Sequence, residues 1–163
     1  FDIVPADLNG QPVLRLAKQL IDEGFQIVLF GSAKDHEAGN EILAALNTEQ
    51  QAWCRNLAGE TQLEQAVILI AACKAVVSND SGLMHVAAAL DRPLVALYGP
   101  SSPDFTPPLS HKARVIRLIS GYHKVRKGDA AEGYHQSLID ITPQRVLEEL
   151  NDLLLEKTGQ EEA

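Results

Sequence analysis

The chain has 163 residues, enough for one domain with a real core, and its 45% hydrophobic and 22% charged residues are an ordinary globular balance. A net charge of -8 argues against a nucleic-acid surface, because phosphate binding needs clustered Lys and Arg. Cys54 and Cys73 each lie in an apolar run and read as buried free thiols rather than a disulfide, and no third cysteine or histidine at ligand spacing suggests zinc.

In chain order, Phe1 to Val4 reads as a short strand ended by Pro5, and Asn9-Gly10 as a turn. Pro12 suits a first helical position, and Val13, Leu16, Ala17, Leu20 and Ile21 form a helical stripe stopped by Gly24. Phe25 to Phe30 is a short apolar run of the kind found in a central parallel strand, closed by Gly31-Ser32. A helix from about Asp35 to Leu46 follows, then a polar connection and a short strand from Cys54 to Ala58. Gly59 turns the chain, and Thr61-Gln-Leu-Glu64 has the spacing of a capping box. The helix it opens is expected to bury Leu63, Ala66, Val67, Ile70 and Ala71.

Ala75 to Val77 then forms a β-branched run that turns through Ser78, Asn79 and Asp80 into a second apolar helix. A strand feeding a helix N-terminus is a ready anion site, since the first amides lack partners and the dipole is positive there. Asp80 and Ser81 can cap that terminus, while Gly82 lets a ligand approach the backbone without a Cβ in the way. Leu83, Val86, Ala87 and Leu90 form the inward stripe, with Ser81, His85, Ala88 and Ala89 pointing away. His85 either projects toward the helix mouth or is satisfied by a neighbouring loop carbonyl. Leu94 to Tyr98 is a further strand leading to the Gly99 to Pro103 loop, and Ala113 to Ile119 is the last. Residues 120–140 show no periodicity and read as a long loop, and His123 to Lys127 in it is a basic run, either a solvated loop or a contact for a phosphorylated lipid. Thr142 caps a final helix whose Val146, Leu147, Leu150, Leu153 and Leu154 pack inward, and residues 159–163 read as a frayed tail.

Strands alternating with helices predict a single α/β domain, a Rossmann-like three-layer αβα sandwich on a mostly parallel sheet. Ligands of such folds bind outside the carboxyl ends of the strands, where Gly31-Ser32, Asn79 to Gly82 and Gly99 to Pro103 should converge. No G-x-G-x-x-G and no G-x-x-x-x-G-K-[ST] pattern is present, which argues against a dinucleotide dehydrogenase and a P-loop NTPase. No signal peptide and no apolar run of about 18 residues is found, so a cytoplasmic protein with at most peripheral membrane contact is expected.

Asn79-Asp-Ser-Gly-Leu-Met-His85, Ala87-Ala-Ala-Leu-Asp-Arg-Pro93 and Leu97-Tyr-Gly-Pro-Ser-Ser-Pro103 together resemble the heptosyltransferases of lipopolysaccharide inner-core synthesis, glycosyltransferase family 9, most nearly their heptosyltransferase II branch. The likeness extends through Leu29 to Glu37, Asn56 to Thr61 and Gly121 to Gly128. The resemblance implies the C-terminal, donor-binding half of a two-domain GT-B enzyme that transfers heptose from ADP-heptose. It implies that Asp80, Ser81, Gly82, Leu83 and His85 hold the donor's diphosphate and heptose beside Gly31 and Ser32. Asp35 and Glu37 compete for the ribose hydroxyls, with Asp35 preferred, and Gly59 and Thr61 would border the adenine. The catalytic base and the lipopolysaccharide core acceptor would belong to an N-terminal domain absent from this chain, which is expected to be inactive by itself. ADP and ADP-heptose are the expected ligands, and no cofactor or divalent metal is indicated. The family's Pro-Gly-Ala turn and following lysine and tryptophan are missing from residues 1–13, whose first strand reads as replaced, as in an excised or engineered domain. The alternative is an isolated Rossmann-like scaffold with weak nucleotide binding and no catalysis.

Overall fold

The computed structural model describes residues 2–5, 10–120 and 136–161. Six parallel strands form one sheet in the order β3-β2-β1-β4-β5-β6: β1 Asp2–Pro5, β2 Ile27–Phe30, β3 Cys54–Asn56, β4 Ala75–Asn79, β5 Leu94–Tyr98 and β6 Ala113–Arg117. The helices are α1 Gly10–Asp22, α2 His36–Ala44, α3 Thr48–Gln51, α4 Leu63–Ala72, α5 Gly82–Ala89, α6 Gln136–Ile139 and α7 Pro143–Glu161, with a 3-10 turn at Ala33–Asp35. The doubly wound strand order reverses direction between β1 and β4, which places a crevice at their carboxyl ends. The expected α/β sandwich is therefore the one observed.

The alternation of side chains along each strand supplies two buried faces. Leu29, Val77, Val95 and Leu97 pack under α1 and α7 through Leu16, Leu20, Leu147 and Leu150. Val28, Phe30, Val76, Ala96 and Tyr98 pack under α4 and α5 through Ala66, Ile70, Met84 and Ala87. The α1 stripe is buried as its spacing requires, and Gly24 ends the helix at φ +90°, a conformation a Cβ would strain. Cys54 and Cys73 are buried and in no disulfide, and burial pushes the Cys54 thiol up to about 11.

Several expectations fail in instructive ways. Pro5 lies within β1, paired in register with Phe30, and Pro12 is the third residue of α1 rather than its first. The second helix starts at His36, after the 3-10 turn, and ends at Ala44. The cap of α4 is displaced by one residue: Gln62 precedes the helix, and its backbone N–H donates to Gln65 Oε1 at 2.8 Å. Its inward face is also rotated, with Ala66 and Ile70 buried but Leu63 65% and Ile68 68% exposed, and Ala71 exposed too. The sequence LEQAVILIAA is polar only at Glu64 and Gln65, so periodicity there could not select a face. In α5 the same ambiguity moves burial to Met84, Ala87 and Ala88, while Leu83, Val86 and Leu90 pack at the margin of the core. Two tail expectations change as well, since α6 occupies part of the anticipated 120–140 loop and α7 continues to Glu161. The basic run His123 to Lys127 lies outside the described residues.

Candidate functional site

At the carboxyl ends of β2 and β4 the sheet opens into a cleft of about 550 Å³. Its floor on the sheet comprises Phe30, Val76 and Ser78. One wall is the β2 loop, with Gly31, Ser32 and Asp35, and the other is the start of α5, with Ser81, Gly82, Leu83 and Val86. Leu63 and Ile70 of α4 complete an apolar end. The chemistry is thus divided, with apolar side chains at one end and backbone, hydroxyl and carboxylate groups along the sides.

The polar end owes its shape to local bonds. Asp35 folds back over Gly31 and accepts from the Ser32 backbone N–H and from Ser32 Oγ, each at 2.7 Å. A Cβ on Gly31 would sit 2.7 Å from Asp35 Cβ, so glycine is what allows this fold-back. The adjoining β3 loop is drawn alongside by the Gly59 N–H donating to Gly31 O at 3.0 Å. Gly59 needs φ +73°, and a Cβ there would approach Ala33 Cα to 2.7 Å. Behind that loop, Asn56 Nδ2 donates to His36 O and Asn40 Oδ1, both at 2.9 Å, while its Oδ1 accepts from the Ala58 N–H at 3.1 Å. His36 Nδ1–H donates to Ala58 O at 2.9 Å. These bonds tie α2 to the β3 loop and hold the cleft wall in place.

The α5 terminus is open. Ser81 is the cap residue in extended conformation, yet no side chain caps the helix, contrary to the expectation from Asp80 and Ser81. Ser81 Oγ lies 3.2 Å from Ser78 Oγ, and Asp80 Oδ2 accepts from Thr106 Oγ1 at 3.0 Å. The first amides of α5 therefore remain available to a ligand. A Cβ at Gly82 would meet nothing within 4 Å, so the approach over this turn is unobstructed. At the end of β4, Asn79 is buried and its Oδ1 has no hydrogen-bond partner among the described residues, so a donor group there would be favourable.

Of the nine predicted donor residues, Gly31, Ser32, Asp35, Ser81, Gly82 and Leu83 are brought together around this cleft. Asp80, His85 and Glu37 are not in its lining: Asp80 turns to Thr106, and His85 and Glu37 are solvent-exposed on α5 and α2. Gly59 and Thr61 also stand outside the lining, where Leu63 and Ile70 supply the apolar end that the sequence reading did not identify. No sequence signal marked it, because the nearly uniform apolar run of α4 made Leu63 read as core.

Tyr98 anchors the third strand-end loop. It is fully buried, its hydroxyl donates to Thr106 O beside Met84 Sδ, and burial followed by the nearby Asp80 charge raises it to about 12. A raised tyrosine favours the folded state below its unfolded value near 10 and loses that contribution as pH climbs toward 12. Tyr98→Phe should lower stability by about 1–2 kcal/mol at neutral pH by orphaning the Thr106 carbonyl. It should also flatten the decline in melting temperature between pH 10 and 12, measured by circular dichroism.

Among the described residues no group of three or more His, Cys, Asp or Glu could hold a metal ion, and no helix is long and apolar enough to cross a membrane.

Comparison with known proteins gives a consistent picture. The family described as "Glycosyltransferase family 9 (heptosyltransferase)" matches residues 14–135. Lipopolysaccharide heptosyltransferase 2 of Escherichia coli strain K12 is 93% identical over 142 residues, covering 87% of this chain and 41% of that protein. The chain thus spans about two fifths of the length of the curated relatives it matches. The solved structure of E. coli ADP-heptose lps heptosyltransferase II superposes with a TM-score of 0.85 at 74% identity, over 99% of this chain and 47% of that one. An E. coli heptosyltransferase solved with ADP shares the fold at a TM-score of 0.74 and 22% identity, over 94% of this chain and 44% of that one.

Proposed function

The chain belongs to glycosyltransferase family 9, the heptosyltransferases of lipopolysaccharide synthesis, and on that footing we propose that it is the ADP-heptose-binding half of an inverting heptosyltransferase. The observation that carries this reading is the 550 Å³ cleft at the switch point, with an uncapped α5 terminus on one side and an apolar end on the other. Adenine fits the end formed by Leu63, Ile70, Leu83 and Val86, and the ribose lies toward Asp35, which lines the cleft where Glu37 does not. The diphosphate meets the amides at Gly82 and Leu83, where the helix dipole favours negative charge. Asp80 and His85, beyond the lining but on the same turn and helix, are left for the sugar end of the donor.

In the transfer itself, an acceptor hydroxyl of the lipopolysaccharide core loses its proton to a base on the N-terminal domain and attacks the anomeric carbon. ADP departs from the opposite face, and the growing charge on its β-phosphate is stabilised by the α5 amides. Preorganised donors of this kind commonly contribute about 10²-fold or more in rate. By itself the chain binds the donor without turning it over, and acts where the N-terminal domain supplies base and acceptor site. On this reading its work is cytoplasmic, with at most peripheral contact with a membrane.

Titration with ADP and AMP tests the reading. ADP should bind at least about tenfold more tightly than AMP, because the β-phosphate is what the helix terminus receives. Equal affinity, or none, would leave a scaffold without a diphosphate site. Recombination with the N-terminal domain should then restore heptose transfer, which a binding module without chemistry would fail to do.

A further inference from the structure

A second cavity, of about 350 Å³, lies along the outer flank of β2 and β3 beside α4, separate from the donor cleft except for Phe30, which touches both. It exists because β3 is an edge strand of three residues and α4, crossing from β3 to β4, leaves its α4-side face uncovered. Val28, Leu57 and Leu69 form an apolar floor, and Trp53, 43% exposed, stands at the mouth with Ala52. Arg55 is in the lining as well.

That arginine is the informative residue. In a chain of net charge -8, the ion pairs among the described residues engage His36, Lys112, Arg114 and Arg145, and Arg55 takes part in none of them. A guanidinium with no ion-pair partner among the described residues, beside a concave apolar surface, is matched by a ligand with an anionic head and a hydrocarbon body. The volume is at the lower end of the roughly 300–1,000 Å³ usual for ligand pockets, which suits one short chain rather than a two-chain lipid. We propose that this cavity is a second ligand site, for a small single-chain carboxylate whose tail lies on Val28, Leu57 and Leu69 and whose head pairs with Arg55. The site stands independently of the donor-binding reading.

Trp53 is the chain's single tryptophan, so its fluorescence reports this cavity directly. Octanoate titrated into the full chain should change that emission saturably. Arg55→Ala should weaken octanoate roughly fivefold, the upper range for a partly exposed ion pair, and leave 1-octanol unchanged. Ala52→Phe, a substitution at the exposed rim, should block both ligands, with the thermal transitions of both variants unaltered. A non-saturating response, octanoate affinity indifferent to Arg55→Ala, or binding that survives Ala52→Phe would each overturn the assignment.

Discussion

Gly39→Ala is expected to lower stability by about 3–5 kcal/mol, a fall in melting temperature of roughly 6–20 °C for a chain of this size. Gly39 is buried in α2, and a Cβ there would stand 2.3–2.6 Å from the Oδ1, Cγ and Nδ2 atoms of Asn56. A free side-chain end could swing aside cheaply, but this one is held by three hydrogen bonds to His36, Asn40 and Ala58. Displacing it costs about 1 kcal/mol per bond in addition to overpacking, against a helix-propensity gain from alanine of about 1 kcal/mol. The Gly39→Ala/Asn56→Ala double variant should be far less damaged than the sum of its singles, because the clash disappears with the amide. Additive losses in thermal melts would show that the contact is not the cause.

Gly82→Val should do the reverse, sparing the fold and abolishing the ligand site. A Cβ at Gly82 meets open space, so the melting temperature should move by no more than about 2 °C. The added methyls would occupy the approach to the α5 amides, and ADP affinity should fall more than about tenfold by calorimetry, a loss above 1.4 kcal/mol. Unchanged ADP affinity would place the diphosphate elsewhere. The contrast between the two glycines is informative: one accommodates a neighbouring side chain, the other leaves room for a molecule from outside.

Much of this arrangement was legible from residue order. The spacing of Val13, Leu16, Leu20 and Ile21 gave α1 its buried face, and the run Ala75 to Val77 followed by Asp80-Ser-Gly82 located the central strand and the helix terminus that follows it. Gly31, Ser32, Asp35, Ser81, Gly82 and Leu83 converge because strands of a doubly wound sheet deliver their loops to one edge. What escaped was the facing of α4 and α5, whose nearly uniform apolar surfaces carry no period that could orient them. The apolar end of the cleft escaped for the same reason, since Leu63 read as core. The role of Asp80 depended on a hydroxyl 26 residues away, at Thr106, which no local pattern announces. Likewise the capping box at Thr61 and the true cap at Gln62 differ by one residue, and only the bond from Gln62 to Gln65 decides between them.

The central claim is that the open terminus of α5 receives a nucleotide diphosphate. Amide chemical shifts recorded during an ADP titration test it most directly. The account predicts that the largest shifts fall on Ser81, Gly82 and Leu83, with Gly31 and Ser32 moving in step and Trp53 and Arg55 unmoved. Shifts concentrated away from the α5 turn, or none at saturating ADP, would contradict it.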